Sequence, residues 1–419
     1  MKKKVIALVL AGLMAMSMAA CGGSSAPAEK PAEEKTEEAA EGGEEAAETA
    51  EPDMTIGFIT LHDENSTYDK NFIDAAKAAC EAKGVNYEIK SNIAEDSTCY
   101  ETAADMADKG YKLVFADSFG HEDFMIQAAE EFPEVEFCHA TGTKAHTAGI
   151  ANFHNAFATI YEGRYLAGVA AGLKLNEMIA AGTITEDQAV MGYVGAYTYA
   201  EVISGYTSFF LGARSVCPSV TMKVKFTGSW YDESLEKEAA NTLINQGCVL
   251  LSQHADSFGA PTACETAGVP DVSYNGSTLS VAPNTYIVSS RINWQPYFEY
   301  LIDCLRNGEA IDTDWTGTIA TGSVELLELN ENVAAEGTAA RLEEVKAGLE
   351  DGSIRVFDTA TFTVDGAAVD SYMADVDSDE AYTPDTEVIA DGAFQESVFR
   401  SAPSFDLQID GIELLDTAF

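Results

Sequence analysis

The sequence predicts an α/β protein of two Rossmann-like lobes, each a parallel sheet flanked by helices, with a ligand cleft between them. Two observations carry this. From residue 54 onward, apolar runs of strand length alternate with amphipathic helical stretches at a repeat of about 25–30 residues, the spacing a βαβ unit requires. The rhythm then pauses at one long helical stretch and begins again.

Thr55–Thr60 is an apolar strand, followed by the polar loop His62–Thr67 and a helix over Asn71–Lys83. Phe72, Ala75, Ala76, Ala79 and Cys80 fall at helical spacing there, and Gly84 ends the helix. Further strands are expected at Val85–Ile89, Lys112–Ala116 and Glu134–His139, with helices at Tyr100–Lys109 and Glu122–Phe132. The long helical stretch is Ala156–Met178, whose small residues suit close packing. The second series has strands at Val190–Gly195, Thr221–Phe226, Val249–Gln253, Val272–Tyr274 and Tyr286–Ser289. Its helices are Glu201–Arg214, Glu233–Gln246, Pro261–Ala267 and Trp294–Arg306. The expected first lobe is therefore 54–180 plus about 290–315, and the second 185–289 plus about 316–355. Residues 356–419, with β-type segments and an acidic stretch at 375–385, form a C-terminal extension.

The N-terminus has a different composition. Lys2, Lys3 and Lys4 precede an uncharged, mostly apolar run of 16 residues, Val5–Ala20. That is too short to span a bilayer and reads as a secretory signal peptide over 1–20. The run ends Met18-Ala19-Ala20-Cys21-Gly22, which resembles a bacterial lipobox, with Met18 where Leu is usual. The resemblance makes Cys21 the lipid anchor. Residues 21–53 are an acidic tether. Its part from Ser24 to Asp53 carries ten Glu and Asp53 against two Lys, without an apolar stripe to offset the entropy of ordering.

The whole chain of 419 residues has 24 Lys+Arg against 69 Asp+Glu, a net charge of −45, of which −39 belongs to residues 54–419. Such acidity excludes nucleic acid as a partner and disfavours polyanionic ligands. Hydrophobic residues at 46% supply a full core. No phosphate-binding loop, dinucleotide fingerprint, nucleophile elbow or zinc-protease motif occurs. The six His (62, 121, 139, 146, 154 and 254) include no i, i+4 pair, so neither a metal nor a cofactor is expected. Beyond Cys21, seven Cys remain, which excludes a complete disulfide framework. A Cys248–Cys264 bridge is conceivable, and small buried side chains are the commoner role.

Candidate site residues are those in loops at the C-terminal ends of strands, where open α/β sheets bind ligands. Tyr68 and Asp69 follow the first strand, Asp117-Ser118-Phe119-Gly120 the third and Thr141-Gly142 the fourth. Trp230, His254-Ala255-Asp256-Ser257, Asn275 and Ser290-Arg291-Ile292-Asn293-Trp294 follow strands of the second lobe. Aromatic rings beside carboxylates suit a flat, hydrogen-bonding heterocycle: rings stack, and Asp or Asn accepts from ring N–H groups or sugar hydroxyls.

The runs FATIYEGRYLAGVAAGL (157–173), GSWYDESLEKEAANTLINQG (228–247) and SSRINWQPYFEYLI (289–302) resemble the basic membrane protein family. Its members are substrate-binding lipoproteins of ABC importers, with purine nucleosides and bases as usual ligands. The runs at 194–214 and 139–142 are similar to the subgroup that binds a purine base. The resemblance implies a type I periplasmic-binding-protein fold, no catalysis, and a monomer held on the extracytoplasmic face of the cell membrane beside a permease. It implies that Trp230 stacks on the purine, Asp256 accepts from it and Arg291 adds a basic group. Asn275 stands where members often hold ribose hydroxyls with Asp, which favours a base over a nucleoside. Two alternatives belong to other classes. One is a surface sensor for a receptor kinase. The other is an exported nucleoside hydrolase using Asp69, Asp117 or Asp256 as a general base.

Overall fold

The computed structural model describes residues 54–376 and 383–417. The segments read as signal peptide and tether, and Cys21, lie outside the described residues.

The first sheet is built from β1 (Thr55–Ile59), β2 (Asn86–Lys90), β3 (Leu113–Ala116), β4 (Glu136–Ala140) and β5 (Phe153–Ala158), joined by α1 (Thr67–Lys83), α2 (Ser97–Asp108), α3 (Glu122–Glu131) and the single turn α4 (Ala145–Ala148). The next elements, α5 (Ile160–Ala180), β6 (Val190–Gly195), α6 (Ala200–Val216), β7 (Thr221–Phe226), α7 (Glu233–Asn245), β8 (Leu250–His254), α8 (Gly259–Ala267), β9 (Asp271–Tyr274) and β10 (Tyr286–Ile292), belong to the second lobe. The chain then returns through α9 (Gln295–Asn307) and β11 (Asp314–Gly317) and crosses again to β12 (Val324–Leu326) and α10 (Thr338–Glu350). The first sheet has the order β11-β5-β4-β3-β1-β2 and is parallel throughout. The second runs β12-β10-β9-β8-β6-β7 with only β12 antiparallel. Strands such as Leu113-Val114-Phe115-Ala116 are buried on both faces, as helix-covered parallel sheets demand.

Helix ends follow local chemistry. Ser66 caps α1, its hydroxyl accepting from the Asp69 N–H at 3.2 Å, and Gly84 closes the helix with φ +63°. The helix therefore begins one turn earlier than the sequence suggests, which puts Tyr68 and Asp69 in its first turn.

Two readings are corrected. The segment read as a single helix from Ala156 is a strand, β5, followed by α5. Helix α5 packs on α6 and β10, so the first crossover falls at Thr159 rather than near residue 180. Its contact with α6 is backbone-close: a Cβ at Gly168 would lie 2.0 Å from the Phe209 carbonyl, and one at Gly212 equally near that of Tyr165. The cysteines follow the commoner expectation of small buried side chains. Cys80, Cys99, Cys138, Cys217, Cys248, Cys264 and Cys304 are all buried and unpaired, so no Cys248–Cys264 bridge forms.

Beyond residue 355 the chain makes two small antiparallel strand pairs, β13 (Met373–Ala374) with β14 (Thr386–Glu387) and β15 (Ile389–Ala390) with β16 (Ala393–Phe394). It then adds β17 (Ile412–Leu414) parallel to β7, as the seventh strand of the second sheet. Phe357, Phe362, Phe394 and Phe405 pack together in this region; the Phe357 and Phe405 rings stack at 4.3 Å.

Candidate functional site

The C-terminal ends of both sheets face one another and line a shared cavity, the usual place for a ligand in open α/β sheets. The first lobe contributes Leu61, His62, Tyr68, Asp69, Ser118, Phe119 and Thr141, the second Glu201, Trp230, His254, Asp256 and Asn275. The seam is closed. The Thr67 N–H donates to the Asp256 carbonyl at 3.0 Å, and Asn71 Nδ2 donates to Asn275 Oδ1 at 3.3 Å. Across the rim the Phe119 and Tyr199 rings meet at 5.5 Å, as do those of His62 and Tyr231.

Trp230 stands in an aromatic wall. Tyr197 meets it edge-on at 5.1 Å, and Tyr199 lies 6.0 Å away while stacking on Tyr197. Opposite are the acidic groups of the first lobe. Asp69 accepts from the His62 N–H at 2.6 Å and the Ser66 hydroxyl at 2.5 Å. Asp117, just beneath, accepts from the Leu61 N–H at 3.1 Å, while its other oxygen has no partner. The Tyr68 hydroxyl donates to the Asp117 carbonyl at 2.7 Å, which fixes the ring at the cavity wall.

Burial, then the Asp69 charge beside it, pushes the Asp117 carboxyl well above the usual range. Asp256 is raised in the same way, by burial first and then by Asp69, Glu236 and Glu201. His254 is lowered by burial, with Nε2 3.4 Å from Glu201 Oε1. Lys and Arg are absent from the lining. The cavity thus suits a neutral, hydrogen-bonding ligand, and offers an anion no cationic partner. Thr141 (φ +70°) and Asn275 (φ +62°) both occupy the left-handed region, which non-glycine residues hold only when neighbours impose it. Asn275 Nδ2 has no acceptor in the protein.

Glu236 of α7 ties two second-lobe loops together. Its carboxylate accepts from the Asp232 N–H, two residues after Trp230, and from the Ser257 N–H, next to Asp256, each at 3.2 Å. Burial pushes this carboxyl from 4.5 up to about 7. A raised folded pKa favours the native state fully below the unfolded value, and that contribution is lost as pH rises through 7. Relative to the native protein, Glu236→Gln is therefore expected to gain about 2–3 kcal/mol of unfolding free energy between pH 5 and 8. Urea midpoints at the two pH values check this; parallel pH profiles would contradict it.

Of the sequence-derived candidates, Tyr68, Asp69, Phe119, Thr141, Trp230, Asp256 and Asn275 line this cavity. Trp294 and Arg291 do not, and both are corrected. Trp294 is 1% exposed and stacks on Phe72 at 4.5 Å, amid Phe115, Phe157, Tyr297 and Phe298, so it is a core side chain. Arg291 points along the sheet edge, where Glu325 on the antiparallel neighbour β12 holds its Nη2 at 2.6 Å and its Nε at 2.7 Å. Ser118 and His254, from the strand-end runs, also line the cavity, and Leu61, His62 and Glu201 do so without having been singled out. Glu201 reads in sequence as an acidic residue in a helix first turn, although the loop before it ends a strand like the others. Among the described residues no group of three or more His, Cys, Asp or Glu could hold a metal ion.

A sequence profile described as ABC transporter substrate-binding protein, PnrA-like, matches residues 58–355. The chain is 35% identical over 254 residues to a purine-binding protein of Brucella abortus, covering 59% of this chain and 68% of that one. It is 34% identical over 225 residues to a Haloferax volcanii protein provisionally named as an ABC transporter glucose-binding protein, covering 54% of each. Among solved structures, an ABC transporter solute-binding protein from Conexibacter woesei shares the fold, with a TM-score of 0.60 and 19% identity over 72% of this chain and 98% of that one.

Proposed function

Because the chain belongs to the PnrA-like family of ABC transporter substrate-binding proteins, we propose that it captures a purine base or nucleoside between its lobes and presents it to a membrane permease. The observation that carries the reading is the pairing of the Trp230 wall with the donor-seeking groups Asp69 and Asp256 in one enclosed cavity. A purine offers a flat face for the indole and ring N–H groups for the carboxylates, and carries no charge to be repelled. The Brucella relative's name supports the same ligand class. Asn275 in place of a carboxylate favours a base over a nucleoside.

Ligand enters an open cleft, stacks on Trp230 and is clasped as the lobes rotate about the crossovers. The family consists of solute-binding proteins rather than enzymes, which removes the hydrolase alternative. We place the protein on the extracytoplasmic face of the cell membrane, anchored through lipid on Cys21 and held off the surface by the acidic tether, as a monomer. The lipobox-like run supports the anchor and the tether composition the spacing from the surface.

Mass spectrometry of the small molecules released by denaturing gently purified protein tests the ligand class. A stoichiometric purine is expected. A hexose, as the Haloferax relative's name would suggest, would overturn the reading.

A further inference from the structure

Residues 356–417 lie beyond the family match, yet one of their loops reaches both lobes beside the crossovers. In the loop Glu396–Phe405, the Glu396 carboxylate is buried and accepts from the Ser204 hydroxyl of α6 at 2.7 Å, one turn along from the cavity residue Glu201. Its other oxygen accepts from the Ser404 and Phe405 N–H groups and the Ser404 hydroxyl, which fixes the loop's shape. The loop then inserts Ser401, 1% exposed, into the first lobe. There its N–H donates to Asp314 Oδ2 of β11 at 2.7 Å and its hydroxyl to Asp314 Oδ1.

Asn155 of β5 continues the chain of bonds. Its Nδ2 donates to Ser401 Oγ and to Asp314 Oδ1, each at 3.0 Å, while its Oδ1 accepts from the Gly142 N–H at 2.8 Å. Gly142 follows Thr141, the cavity residue held at positive φ. The rest of the extension is anchored on the second lobe, by β17 beside β7, by Tyr206 donating to Gln408 and by the Lys225–Asp416 ion pair.

We propose that the Glu396–Phe405 loop is a hinge brace: it rides on the second lobe, reaches the first through Ser401, and positions the Thr141–Gly142 loop through Asn155. Rotation of the lobes works against this bond cluster, since β5 and β11 run directly into crossovers. The extension thereby sets where closure stops and how firmly one cavity wall is held. Ser401 and Glu396 are positioning residues, and the inference does not depend on which ligand the cleft takes.

Hydrogen exchange on the ligand-free full chain tests it. Ser401→Ala should speed exchange of the Gly142 amide about tenfold, the loss of one buried hydrogen bond, while Leu251 in β8 exchanges as before. Ser204→Ala, at the other end of the brace, should act in the same direction. Lys225→Ala, which loosens only the outer anchor, should leave Gly142 unchanged. Unaltered Gly142 exchange in both serine variants would overturn the brace. Equal acceleration at Gly142 and Leu251 would also overturn it, because that is general loosening.

Discussion

Trp294→Ala is expected to lower the unfolding free energy by about 3–5 kcal/mol, the usual result of emptying a buried aromatic site. The indole is stacked on Phe72 and ringed by Phe115, Phe157, Tyr297 and Phe298, and these cannot collapse into the space without disturbing α1, β3, β5 and α9 together. Ligand affinity of the folded variant should stay within about threefold, because the lost contacts lie in the first-lobe core and not in the cavity. Denaturant melts read the first quantity and calorimetry the second. A variant of native stability with much weakened binding would return Trp294 to the site.

Trp230→Ala should do the reverse. Stacking of a base on an aromatic ring is worth about 1–3 kcal/mol, so affinity for a purine is expected to fall roughly ten- to a hundredfold. The urea midpoint should move far less than for Trp294→Ala, since Trp230 is only partly buried and its neighbours Tyr197 and Tyr199 still stack on each other. Trp230→Phe should recover part of the loss, because it keeps a ring face. An unchanged affinity in Trp230→Ala would mean that the ligand rests elsewhere.

These two residues also show what the sequence makes legible. Apolar runs such as Leu113–Ala116 and helices such as α1 announce themselves by periodicity, so both lobes and their parallel sheets could be read directly. Strand β5 could not, because its apolar residues run without a turn signal into the apolar face of α5. The short β11 and β12, half-buried edge strands, carry no alternation strong enough to separate them from loop. Site loops were legible by position, as ends of strands. The direction in which a side chain leaves such a loop was not: Trp230 and Trp294 stand in similar strand-end contexts, yet one lines the cavity and the other turns into the core. Arg291 was displaced by a partner, Glu325, that becomes its neighbour only when β12 pairs with β10.

The extreme acidity also gains a location at the site. Asp69, Glu201 and Asp256 line a cavity that has no Lys or Arg side chain, so no basic group stands there to pair with a phosphate.

The central claim is that the closed cleft holds a neutral purine against Trp230. Calorimetric titration of the purified protein with adenine, hypoxanthine, inosine and guanosine tests it most directly. Saturable one-to-one heat with at least one base, together with a raised melting temperature, is the predicted result. No heat and no melting shift with any of the four would contradict it.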